Sequence, residues 1–247
     1  MDISTERVEI AVPGSGTMGG YLAKPQADAP RPAVVVFMEV FGVNSHIREV
    51  TDRIAREGYV ALAPDYYHRT APGVEYGYDD KDLEAGMELY MKLDSDQMIA
   101  DARAAIDYLK SRSDVKGDAI GCTGFCAGGH MTYLTACETE VKAAACFYGG
   151  GVADTQGLGG GPAPLSRTSK IKGKILCLFG GQDAYIPPDH VDATRQELGK
   201  TGVRHEIVVY DKADHGFFCD QRDSYDKAAA DDAWKRVKRF FAEELGS

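Results

Sequence analysis

Gly124-Phe125-Cys126-Ala127-Gly128 sets a cysteine between two glycines. A short apolar run, Asp118 to Cys122, leads into it, and Gly129 to Ala136 can continue as a helix. A strand-to-helix turn of the form G-x-C-x-G holds its central residue in strained backbone and pushes that side chain outward. Glycines on either side let neighbouring backbone approach closely. The sulfur would also stand at a helix N-terminus, whose partial positive charge favours thiolate over thiol. This is the chemistry of a nucleophile. Cysteine is also a common inert core residue, so the motif has to be weighed with what accompanies it.

A nucleophile on such a turn needs a base, and the base needs an orienting acid. Gly180-Gly181-Gln182-Asp183 follows the apolar run Lys174 to Phe179, which places Asp183 at a strand's C-terminal end. Ala213-Asp214-His215-Gly216-Phe217 follows the run His205 to Tyr210 in the same way. Cys126, Asp183 and His215 therefore occur in the order nucleophile, acid, histidine, at intervals of 57 and 32 residues. Taken singly, Asp183 reads as a turn residue or as the N-cap of a Pro187-led helix, and His215 as a loop histidine. Asp214 is a rival acid, but adjacent residues rarely face each other. His130, one turn past Cys126, is expected to pack or cap.

Two backbone amides should stabilise an oxyanion. Ala127 follows the nucleophile and supplies one. The loop Met38-Glu39-Val40-Phe41-Gly42-Val43-Asn44 supplies the other, with Val40 as the expected donor. Glu39 ends an apolar strand, so its carboxylate should be buried and must find a partner. Either a structural salt bridge with Arg48 or Arg53, or a hydrogen bond to the Cys126 thiol, would serve.

These positions require strands alternating with helices. Val8 to Val12 and Gly20 to Ala23 read as a hairpin, and Ala33 to Met38 as a strand buried on both faces. A helix over His46 to Glu57 leads to a strand at Tyr59 to Ala63, and helices follow over Leu83 to Leu93 and Asp96 to Leu109. Further strands are expected at Asp118 to Cys122 and Ala143 to Tyr148, and a terminal amphipathic helix over Ala228 to Leu245. The alternation predicts an α/β fold with a mostly parallel sheet covered on both faces, in one domain spanning residues 1–247. Gly149 to Pro162 holds seven glycines and is expected to be a flexible surface loop, the other reading being a mobile wall over a pocket.

The chain carries 28 basic and 38 acidic residues, a net charge of −10 that argues against nucleic acid or an anionic membrane as partner. There is no run of about 18 apolar residues to span a bilayer. Met1 to Glu6 lacks the basic and apolar regions of a secretory signal, so a cytoplasmic location with six reduced cysteines is expected. No ligand spacing for zinc and no nucleotide P-loop is present, so neither metal nor organic cofactor is implied. The oligomeric state is left open.

The segments Glu39 to Asn44, Ala63-Pro64-Asp65-Tyr66-Tyr67, Gly124 to Gly129, Gly180 to Asp183 and Ala213 to Phe217, in this order, resemble the dienelactone hydrolase family (carboxymethylenebutenolidase-like α/β-hydrolases) over about residues 8 to 245. The resemblance implies an α/β-hydrolase fold and hydrolysis of a small ester or lactone through an acyl-cysteine. Cys126 would be the nucleophile, His215 the base and Asp183 its orienting acid. Val40 and Ala127 would form the oxyanion hole, and Glu39 would hold the resting thiol neutral. Tyr90 and Phe41 would line the substrate pocket. Two departures bear on substrate. Members that open dienelactone hold its carboxylate with arginines. One of these lies four residues past the histidine, which is Cys219 here, and no arginine occurs over Asp79 to Tyr90. Arg222, three residues beyond Cys219, is a candidate substitute, although its spacing is not the family's. A broad carboxylesterase or thioesterase acting on neutral substrates is one alternative. A non-enzymatic thiol sensor is another, for which Cys122, inside a strand, would be a poor resolving partner.

Overall fold

The computed structural model describes residues 1–246. One eight-stranded sheet runs through it, in the order β1-β2-β4-β3-β5-β6-β7-β8. β1 (Ile3–Val12) and β2 (Gly16–Pro25) form an antiparallel hairpin whose second strand pairs antiparallel with β4 (Val60–Pro64). β3 (Arg31–Phe37), β5 (Val115–Phe125), β6 (Ala143–Phe147), β7 (Lys174–Gly180) and β8 (His205–Tyr210) continue from β4 in parallel. The hairpin is longer than its apolar residues suggest, because polar residues of β1 face solvent while the ladder continues from Ile3 to Val12.

The central strands are apolar on both faces because helices cover both. Ala33 to Phe37 are fully buried. From β3 the chain first steps to β4 through α1 (Ser45–Arg56), then reverses and steps across β3 to β5 through α2 (Asp80–Tyr90) and α3 (Ser95–Ser111). Right-handed crossovers in opposite directions lie on opposite faces. Accordingly α1 meets the terminal helix α6 (Lys227–Leu245), with Arg53 stacked 4.6 Å over Trp234 and Lys238 3.4 Å from Glu57. The helices α3, α4 (Ala127–Glu138) and α5 (Pro188–Thr201) follow the other direction. The reversal makes the crevice beyond the C-terminal ends of β3 and β5 a topological switch point, where open α/β sheets bind ligands.

α2 begins three residues earlier than its apolar pattern indicates, because Asp79 caps it by accepting from the Asp82 amide at 2.8 Å. It stops at Tyr90, and Asp94 opens α3 by accepting from Asp96 and Gln97. α4 packs directly on the end of β3. A Cβ on Gly128 would collide with the carbonyl oxygens of Phe37 and Met38, so only glycine permits this approach. No helix among the described residues is long and apolar enough to cross a membrane. Gly128→Ala should lower stability by about 1–3 kcal/mol, the usual cost of overpacking, measured as a fall in the urea midpoint at unchanged slope.

Candidate active site

β5 ends at Phe125 and α4 begins at Ala127, so Cys126 alone makes the turn, at φ 57° and ψ −117°. It is one of only two non-glycine residues with positive φ among those described. The turn is over-determined from several sides. The Cys126 amide donates to the Phe147 carbonyl of β6 at 3.2 Å, and its carbonyl accepts from the His130 amide. A Cβ on Gly124 would strike the Gly128 carbonyl and Thr132. The sulfur consequently points away from the sheet into a cavity of about 420 Å³.

His215 and Asp183 arrive from the ends of β8 and β7. The His215 Nδ1 lies 2.8 Å from Asp183 Oδ2, and both side chains are buried. The carboxylate can only accept, so Nδ1 carries the hydrogen and Nε2 is left to face Cys126. Asp183 Oδ1 accepts from the amides of Tyr185 and Ile186, which fixes the carboxylate in its turn. It does not cap α5, whose N-cap position is Pro187. The neighbouring Asp214 accepts from the backbone amide of His215 and leaves the ring alone. Tyr148 and Tyr185 pack edge-on against the imidazole, with ring centroids 5.0 and 5.1 Å away. Burial disfavours the imidazolium, but the Cys126 sulfur and the Asp183 carboxylate outweigh it and push the His215 pKa up to about 10.

The loop after β3 completes the floor. Val40 and Ala127 both line the cavity. The Ala127 amide is an orphan donor at the start of α4, and the Val40 amide meets no protein acceptor among the described residues. Tyr66 and Tyr67 hold the loop from behind by donating to the Met38 and Val40 carbonyls at 2.6 and 3.2 Å.

Glu39 is fully buried beneath this loop, and its partner differs from those expected. Arg222 donates to Oε1 at 3.1 Å and Tyr78 to Oε2 at 3.1 Å. Arg48 instead pairs with Glu75 and the Val43 carbonyl, while Arg53 stacks on Phe218 and Trp234. Sequence spacing gave no reason to prefer Arg222, because the turn from Gly216 onward brings its guanidinium back over Phe41 and Tyr78, 5.6 and 5.8 Å from their ring centroids. Arg222 thereby lines the cavity beside His215 despite its offset in the sequence. Glu39, His46 and Cys219 also bring donor atoms within 4.8 Å of one another. A cation held there would sit against the Arg222 charge already paired with Glu39, which does not suit a metal site.

Phe41 and Tyr90 both line the cavity. The glycine-rich segment does too: it lies at the surface, as expected, and is also the wall over a pocket that was the other reading. Gly150, Gly151, Gly157, Leu158, Gly159 and Gly160 form one wall. This wall is tied down: Ser95 donates to the Leu158 carbonyl at 2.8 Å, and Gly157 to that of Gly161. His130 is buried and anchors the segment through Nδ1, 3.0 Å from the Gly150 carbonyl, and burial lowers its pKa. The structure also brings Tyr78, Tyr148 and Tyr185 to the site, none of which carried a sequence signal.

A strained elbow on a mostly parallel sheet, with a carboxylate-paired histidine at its edge, defines an α/β-hydrolase. The model of the "Dienelactone hydrolase family" matches residues 18–245. The chain is 44% identical to a Synechocystis sp. protein named "Putative carboxymethylenebutenolidase", over 99% of this chain and 100% of that one. It superposes on a structure titled "Putative Dienelactone Hydrolase" from Klebsiella pneumoniae subsp. pneumoniae with a TM-score of 0.86 at 35% identity, covering 97% and 99% of the two chains. A dienelactone hydrolase-like promiscuous phosphotriesterase from metagenomic libraries gives a TM-score of 0.84 at 25% identity over the full length of both. The chain belongs to the dienelactone hydrolase family.

The raised His215 pKa makes a signed prediction. A histidine pKa lifted above its unfolded value of about 6.5 contributes stability that is present below that pH and lost as pH rises toward the folded value. In wild-type protein the His215 imidazole should titrate by 15N NMR with a midpoint near 10. In Cys126→Ala the midpoint should fall clearly, because the sulfur contribution is gone; an unmoved midpoint would show that the two side chains do not interact.

Proposed function

We propose that this hydrolase cleaves a carboxylic ester or lactone through Cys126, His215 and Asp183, by way of an acyl-cysteine. The observation that carries the reading is the buried 2.8 Å contact between His215 Nδ1 and Asp183, beside a cysteine in an elbow at φ 57°. Asp183 orients the imidazole, and the raised pKa of His215 means that its Nε2 holds the proton given up by Cys126, leaving a thiolate as nucleophile. The sulfur attacks the carbonyl carbon, and the developing oxyanion accepts hydrogen bonds from the Val40 and Ala127 amides. His215 then protonates the departing alkoxide, which in a lactone stays tethered to the acyl group. Next it takes a proton from water, whose oxygen attacks the thioester carbon; the C–S bond breaks, the carboxylic acid leaves, and the proton on His215 is again shared with the Cys126 sulfur. Every proton and bond is accounted for by side chains of the chain itself, so the cycle needs neither metal nor organic cofactor. We read residues 1–247 as one catalytic domain acting on a small molecule in the cytoplasm.

Glu39 supports the site by holding Arg222 against the cavity. An arginine in that position supports an anionic substrate of the dienelactone kind, because a guanidinium binds a carboxylate through two parallel hydrogen bonds. It also offers a place for the charge that the sequence spacing did not.

Two outcomes test this reading. Cys126→Ala should lose at least about a thousandfold in kcat while keeping wild-type circular dichroism, since removing the nucleophile of such a unit removes most of the rate. Wild-type activity in that variant would refute the assignment. Arg222→Gln should lower the kcat/KM ratio of cis-dienelactone to an uncharged aryl ester by about 10- to 100-fold, the worth of a charged hydrogen bond. An unchanged ratio would assign the pocket to neutral esters.

A further inference from the structure

α2 and the residue after it carry two apolar faces. Gly86 and Leu89 are buried, and Gly86 is pressed so close to Val40 that a Cβ there would meet the Val40 carbonyl. Leu83, Met87, Tyr90 and Met91 recur at the spacing of one helical stripe, which in a surface helix normally faces the core. Here that stripe lines the catalytic cavity. Leu158 of the glycine-rich wall joins it, held there by the bond from Ser95.

The protein leaves this surface open. Five large apolar side chains are exposed among the described residues, and three of them, Met87, Met91 and Tyr185, belong to this one cavity. Met91 is 69% exposed, on a chain whose other methionines past Met1 lie mostly inside. Scattered single exposures need no explanation, but a contiguous apolar rim around a catalytic pocket marks a ligand surface. The cavity of about 420 Å³ also exceeds what an acetyl group or one lactone ring requires.

Its placement decides which half of the substrate it takes. His215 must reach the leaving oxygen, so the alcohol lies on its side, where Tyr185 packs on the imidazole. Leu83 and Tyr90 pack instead with Val40, Ala127 and Cys126. An acyl group on Cys126 would lie there, with its substituent along the stripe.

We propose that the Leu83–Met87–Tyr90–Met91 stripe and Leu158 form an acyl-chain subsite, and that the protein prefers esters of medium-length apolar acids over acetyl esters. This rests on the acyl-cysteine reading of the site. Methionine suits such a subsite, since its unbranched side chain adapts to acyl groups of different shape.

A series of p-nitrophenyl esters tests it. Each methylene that leaves water is worth about fourfold in binding. One side of the subsite is open, so hexanoate should exceed acetate in kcat/KM by about tenfold or more, well short of full burial. The double variant Met87→Ser/Met91→Ser removes only exposed side chains, and circular dichroism will verify its fold. In it the hexanoate-to-acetate ratio should fall by about fivefold, mainly through KM. A wild-type ratio at or below one, with acetate turned over through Cys126, would overturn the subsite and leave the hydrolytic reading standing. A high wild-type ratio unchanged in the double variant would likewise overturn it, placing the preference elsewhere. Failure to hydrolyse any ester in the series while cis-dienelactone is turned over through Cys126 would overturn the subsite alone, and failure with both would remove the hydrolytic reading with it.

Discussion

The geometry of the whole site follows from one backbone conformation. Cys126 turns the chain from β5 into α4 at φ 57°, a region that costs a non-glycine residue of order 1–3 kcal/mol. Surrounding structure has to sustain that cost, and each support becomes part of the chemistry. The bond from the Cys126 amide to Phe147 ties the turn to β6, and Tyr148, the residue after Phe147, packs against His215. The bare α-carbons of Gly124 and Gly128 let α4 press onto the ends of β5 and β3. That contact brings Ala127 and Val40 together beside Cys126.

A second constraint lies under the loop. A fully buried carboxylate at Glu39 would be unsustainable alone, and Arg222 and Tyr78 make it tolerable. The pairing has a functional side effect. It holds a guanidinium at the edge of the cavity, so a requirement of burial also shapes the cavity wall. Phe41 and Tyr78 shape the same guanidinium from its faces. The cavity thus has the Glu39–Arg222 pair at one edge and apolar side chains along α2.

The glycine-rich segment shows how composition misleads when tertiary anchors are unseen. Seven glycines imply freedom, yet Ser95 grips the Leu158 carbonyl and His130 that of Gly150. Gly159 is there because a Cβ would collide with the Asp94 carboxylate, not because the chain must move. Small residues here permit close packing of a wall against α3 and α4.

The sequence by itself determined the parts that depend on local pattern and order. Apolar runs at Ala33, Ile120, Ala143 and Lys174 read as buried parallel strands because a two-sided sheet demands continuous apolar character. The elbow, the acid and the histidine were legible because each sits just past such a run, where topology converges chain ends on one edge. Tertiary structure alone decided which partner neutralises Glu39, which side chains pack the imidazole and which segment walls the cavity. Spacing alone could not place Arg222 at the site, and the turn after Gly216, φ 81°, is what returns it there. Linear distance measures position along a strand or helix, where the repeat is fixed. Through a turn it measures nothing, because direction there is set by packing against residues far away in the chain.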